Sequence, residues 1–158
     1  MPATPSRLLC LAFVGALALP AAAQPEKPTA AEVTKVFDYF NKGQGKGPVL
    51  LALEPCLKVG RKEGEPKKAC VEPATEGVPP KTTVFAFTRF FVPAGDSYEV
   101  TFEWKRDGEI ISSKEAKVLT GYAYGTWKGT TLRKPGNYTI TIKLGDEVLG
   151  SAKVTVKE

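Results

Sequence analysis

Residues 98–105 constrain the fold more than any other stretch. Tyr98, Val100, Phe102 and Trp104 alternate there with Glu99, Thr101, Glu103 and Lys105. This is the period-two signature of a strand with one buried and one wet face. The same period recurs from Val49 onward, and it divides the chain into about seven strands: residues 49–56, 83–91, 98–105, 109–118, 122–132, 138–144 and 148–156. Pro93-Ala94-Gly95-Asp96 reads as a turn, and Asp107-Gly108 is a strong hairpin signal. Pro135-Gly136-Asn137 and Gly145-Asp146 supply two further turns. Residues 57–81, rich in Lys, Glu, Pro and Gly, read as an exposed loop. No helical periodicity lies between the strands, which argues against a parallel sheet. Strands that each bury one face are satisfied by a two-layer antiparallel sandwich.

Two details carry a resemblance. Trp104 falls on the third strand. Leu132, Gly136 and Tyr138 have the spacing of a tyrosine corner, in which a Tyr at the start of a strand hydrogen-bonds back to the preceding turn. Residues 49–158 therefore resemble bacterial exported immunoglobulin-like and fibronectin-type β-sandwich domains. The resemblance implies an all-β, immunoglobulin-like sandwich with a buried Trp104. It departs from the antibody-type pattern at Ile140, which stands where those domains carry their second cysteine.

The N-terminus has a different grammar. Arg7 precedes an apolar run from Leu8 to Leu19, Pro20 breaks it, and Ala21-Ala22-Ala23 supplies small residues before Gln24. This is the pattern of a cleaved secretory signal peptide, residues 1–23, cut after Ala23. Twelve apolar residues rise about 18 Å as a helix, short of a bilayer core of about 30 Å. The expected location is the periplasm or the medium, with no transmembrane segment in the processed chain. Residues 24–48 read as a polar tail, an amphipathic helix and a Gly-rich linker. Within them, Thr29 and Glu32 have capping-box spacing. Val33, Val36, Phe37 and Phe40 then form one helical face, expected to dock on the protein's own domain.

Removing 23 of 158 residues takes Cys10 with them and leaves Cys56 and Cys70. An even cysteine count in an exported chain argues for one disulfide. The whole chain contains no histidine, which removes imidazole-based nucleophile pairs, general bases and zinc sites. Glu99 and Glu103 share a strand face four residues apart, about 13 Å. Paired glycosidase carboxylates stand about 5–9.5 Å apart. The expectation is a protein that is not an enzyme and takes no metal or cofactor.

Two sets of residues remain as binding candidates. Lys58, Arg61, Lys62, Lys67 and Lys68 give the segment between the cysteines a basic character over Glu63 and Glu65. Such a patch suits anionic envelope polymers, lipid headgroups or an acidic partner, whereas the exported compartment and the mixed signs disfavour nucleic acid. Tyr122 and Tyr124 are expected on one face of their strand, with Trp127 on the other. Flat exposed aromatics suit sugars or protein hot spots. The function that follows is a non-catalytic exported binding or structural module of the cell envelope, contacting a protein or anionic polymer. The alternative is a carbohydrate-binding module using the aromatics.

Overall fold

The computed structural model describes residues 27–41, 47–65, 67–74 and 77–158. The expected signal peptide and cleavage site, and most of the Gly-rich linker, lie outside them. One helix, α1 (Ala30–Asn41), precedes six strands: β1 (Val49–Arg61), β2 (Lys68–Pro73), β3 (Thr82–Arg106), β4 (Glu109–Leu132), β5 (Gly136–Leu144) and β6 (Glu147–Val156). All strand pairings between them are antiparallel. The architecture is all-β, two antiparallel layers carrying a short N-terminal helix.

The expected strand segments all run as strand, but four of them join end to end. Residues 83–91 and 98–105 are the two halves of β3, and residues 109–118 and 122–132 are the two halves of β4. The pairing runs from Arg106↔Glu109 at the turn to Thr82↔Leu132 at the far end. Asp107 (φ 50°) and Gly108 (φ 90°) form that turn, both in the left-handed region that a two-residue hairpin demands. Pro93-Ala94-Gly95-Asp96 is therefore not a turn between strands. It is an interruption within β3, where the ladder lapses from Val92↔Gly121 to Ser97↔Leu119. Gly95 adopts φ 88°, a conformation that a residue with a Cβ resists.

The interruption divides the hairpin between two layers. One layer runs β2, β1, the first half of β3 and the second half of β4. The other runs the first half of β4, the second half of β3, β5 and β6. Alternate residues of β3 face the space between: Val84, Ala86 and Phe90 from its first half, Val100, Phe102 and Trp104 from its second. Phe102 and Trp104 stack at 6.2 Å between centroids, with both side chains fully buried. Ile140 and Ile142 of β5 and Val154 and Val156 of β6 close the same core.

The tyrosine corner forms as its spacing implies. The Tyr138 hydroxyl donates to the Lys134 carbonyl at 2.7 Å and accepts from the Lys134 N–H at 3.4 Å, and the ring is buried. The last strand is stitched from its other side by a short parallel bridge. The Val78 N–H donates to the Thr155 carbonyl, and the Lys157 N–H to the Val78 carbonyl, both at 2.9 Å.

The segment expected to be one exposed loop is largely strand. β1 continues to Arg61, and β2 pairs back on it. Among the described residues the hairpin has only two points of full burial beyond Leu51, namely Cys56 and Cys70. Its edge strand therefore lacks the alternation that would betray it.

Candidate functional site

The β1–β2 hairpin does not stand clear of the sandwich. Cys56 and Cys70 form a disulfide across it, with Cα atoms 5.7 Å apart. The bridge packs on Phe87, on the outer side of β3, with Val59, Phe85 and Trp127 around it. A second, smaller core thus lies outside the first. The backbone of β2 reaches as far as β4, because a Cβ at Gly125 would lie 3.9 Å from the Lys68 carbonyl.

This fold-over brings two separate sequence features together. The Lys68 ammonium sits 4.6 Å from the centre of the Trp127 ring, a cation–π contact. Trp127 in turn stacks beside Phe87 at 6.4 Å. Lys67 and Lys68, with Tyr122, Tyr124 and Trp127, line one shallow depression of about 400 Å³. A smaller cleft of about 150 Å³ adjoins it and shares the two lysines, adding Lys62, Arg89, Glu54 and Glu65. Lys58 and Arg61 are exposed and line neither; Lys58 stands opposite Glu72, and Arg61 opposite Lys68, across the hairpin.

Tyr122 and Tyr124 do not share one environment, contrary to the simple alternation. Tyr124 is half-buried against the main core. Tyr122 instead reaches α1 and donates its hydroxyl to Glu32 Oε2 at 2.8 Å. Ala123 (φ 53°) lies between them, and a left-handed residue breaks the period of two.

Glu32 is the anchor of α1. As its spacing predicts, it closes a capping box: the Thr29 N–H donates to Oε2 at 2.9 Å and the Glu32 N–H donates to Thr29 Oγ1 at 3.3 Å. It also pairs with Arg89 of β3 at 3.1 Å. Burial alone would raise its pKa. Hydrogen bonds from the Thr29 N–H, the Tyr122 hydroxyl and the Thr29 hydroxyl, then the Arg89 charge, outweigh burial and hold it below the usual carboxylate value. A lowered folded-state pKa stabilises above the unfolded value, and that contribution is lost as pH falls through the folded one. Acidification or Glu32→Ala is therefore expected to release α1 while the sandwich persists. Loss of the cap costs about 1 kcal/mol. Hydrogen exchange of residues 30–41 checks it, and unchanged protection below the carboxylate range would refute it.

These polar anchors also decide which side of the helix faces the sheet. Lys35 donates to the Leu51 carbonyl at 2.7 Å, alongside the Glu32 contacts. The helix docks on its Glu32–Lys35–Tyr39 shoulder, and its apolar stripe is turned outward. Val33 is 50% exposed, Phe37 63% and Phe40 44%. The expectation that this stripe docks on its own domain is overturned for most of its length. Phe40 keeps an aromatic contact with the sheet, edge-on to Phe91 at 6.2 Å.

The two carboxylates on the outer face of the second half of β3, Glu99 and Glu103, meet different partners. Glu103 is buried between Lys105 at 2.9 Å and Lys143 at 3.0 Å. The Lys105 contact and then the Lys143 contact hold it below the usual carboxylate range, against the effect of burial. Glu99 pairs with Glu115 rather than Glu103, and the hydrogen bond and charge of Glu99 raise the exposed Glu115 carboxyl. Glu54, Cys56 and Cys70 converge within 4.8 Å, but both sulfurs belong to the disulfide and offer no thiolate.

Sequence reading missed Arg89 and gave Glu32 only a capping role. A single Arg within the Phe-rich run Phe85–Phe91 was the available signal, since a charge there needs a partner.

No protein-family model matches the chain, and comparison with the curated proteins finds no match. Among solved structures, the chain is similar to an immunoglobulin-like protein from Pseudomonas aeruginosa, with 14% identity over 71% of this chain and 98% of that one, at a TM-score of 0.45.

Proposed function

We propose that the protein is a non-catalytic module exported to the cell envelope, periplasmic or secreted after removal of residues 1–23. In this reading it binds an anionic polymer or an acidic protein surface. The observation that carries the reading is the meeting of Lys67 and Lys68 with Tyr122, Tyr124 and Trp127 in one depression. The lysines supply attraction that salt screens, and the aromatic rings supply flat apolar contact beside it. Lys62 extends the positive potential into the adjoining cleft.

The test is affinity electrophoresis against an acidic and a neutral polysaccharide. Lys67→Glu with Lys68→Glu is expected to weaken binding to the acidic polymer by about tenfold or more, at about 1 kcal/mol for each exposed charge contact. Added salt is expected to do the same. Unchanged affinity in the double variant would overturn the reading. Tyr122 and Tyr124 favour the carbohydrate alternative by lining the same depression. Salt-insensitive binding to the neutral polymer, lost in Tyr124→Ala, is the outcome that selects it.

A further inference from the structure

We infer that α1 and the basic face beside it form one docking surface for an anionic phospholipid bilayer. The surface has an apolar and a cationic half. The apolar half is a groove of about 390 Å³ between the outward stripe of α1 and the sheet, lined by Val33, Val36, Phe37, Phe40, Phe91 and Tyr122. The cationic half is the depression containing Lys67 and Lys68. Tyr122 lines both, so the two halves are contiguous. The inference rests on the basic face invoked in the proposed function and names its partner.

The size of the groove argues against a folded protein as its occupant. A 12-residue helix is about 18 Å long and presents a stripe about 10 Å wide, roughly 180 Å². A stable protein interface needs about 800 Å² from each partner. A bilayer has no such requirement. It takes up an apolar helix face to a depth of about 5–10 Å and adds attraction from flanking lysines to anionic headgroups. Phe37 and Phe40 are aromatic residues of the kind that anchor in this zone.

Charge supports the same orientation. The one carboxylate lining the groove is Glu32, and it is already paired with Arg89, so it adds no unbalanced repulsion. Glu54 and Glu65 stand in the further cleft, where Lys62, Lys67 and Lys68 outnumber them. Asp38 lies on the other flank of α1, in a different cleft with Lys35. No helix among the described residues is long and apolar enough to cross a membrane; the inferred contact lies in the membrane plane.

Vesicle co-sedimentation tests this, with the chain purified after export and its N-terminus fixed by intact mass. Binding is expected to phosphatidylglycerol mixed into phosphatidylcholine, and to be at least about tenfold weaker to phosphatidylcholine alone, from about 1 kcal/mol per lysine. Phe37→Glu, at an exposed position that tolerates substitution, is expected to weaken binding by about tenfold or more, as does Lys67→Glu with Lys68→Glu. Phe37→Trp is expected to shift its emission to the blue on vesicles. Sedimentation of Phe37→Glu equal to that of the parent overturns the inference. So does binding to a soluble acidic polysaccharide without binding to vesicles, which leaves the proposed function standing. Binding to neither overturns both.

Discussion

Trp104→Ala is expected to cost about 3–5 kcal/mol, the range for truncating a large aromatic side chain in a packed core. Trp104 is fully buried, stacks on Phe102, and sits on β3, which with β4 passes through both layers. Its backbone neighbours are Ser112 on β4 and Ile140 on β5, so no flank is free to collapse into the space. A domain of this size has a total stability of about 5–15 kcal/mol, so the loss is a large share of it. A urea titration followed by circular dichroism measures the loss as a lower midpoint. Trp104→Phe is expected to cost much less than the alanine. The indole Nε1 is buried with no hydrogen-bond partner among the described residues, and removing an unpaired donor relieves a penalty of about 1–3 kcal/mol. A loss below about 1 kcal/mol in Trp104→Ala would show that the core is not organised around this ring.

Replacing both Cys56 and Cys70 by alanine is expected to cost about 3 kcal/mol, from the entropy that a loop of this size regains in the unfolded chain. Alanine is the informative choice. Both sulfurs lie in an apolar cluster with Phe87, and serine would add a buried hydroxyl to the effect. The loss should be unevenly distributed. The bridge holds the β1–β2 hairpin against the outer side of β3, and Lys68 lies two residues from Cys70. Without it, the hairpin loses its grip on Phe87 and the Lys68–Trp127 contact opens. Trp127 emission should then move to the red before the main core unfolds, while Trp104 stays buried. In the parent protein, intact mass after alkylation without reduction should show no added label on Cys56 or Cys70. Coincident unfolding of both regions, with an unchanged midpoint, would contradict this account.

Much of the sandwich was legible because its evidence is local. The alternation in residues 98–105, the Asp107-Gly108 turn and the Tyr138 spacing each depend on neighbours a few positions away. The joining of strands was not legible. Pro93 and Gly95 are turn residues by composition, and only the continued pairing of β3 with β4 shows them to be a bend. β2 was missed because one buried residue, Cys70, gives no period to read. The orientation of α1 was misjudged for a tertiary reason. Its apolar stripe was visible, but the Arg89 and Tyr122 that hold Glu32 are remote in sequence, the latter by 90 positions. The candidate lysines and aromatics were each identified from sequence; their meeting depends on the hairpin folding over, which no local pattern encodes.

The continuous β3–β4 hairpin has a consequence for the order of assembly. In sandwiches of mostly non-local pairing, joining the layers is slow because loop-closure entropy must be overcome before contacts repay it. Here both layers grow from one two-residue turn. The ladder can extend from Arg106↔Glu109 toward Thr82↔Leu132, each pair formed bringing the next within reach. The far layer arrives already tethered to the near one, and the bend at residues 93–96 sets the angle at which they meet. Asp107-Gly108 is thus the natural starting point of the fold, and a slower turn there should delay the whole domain.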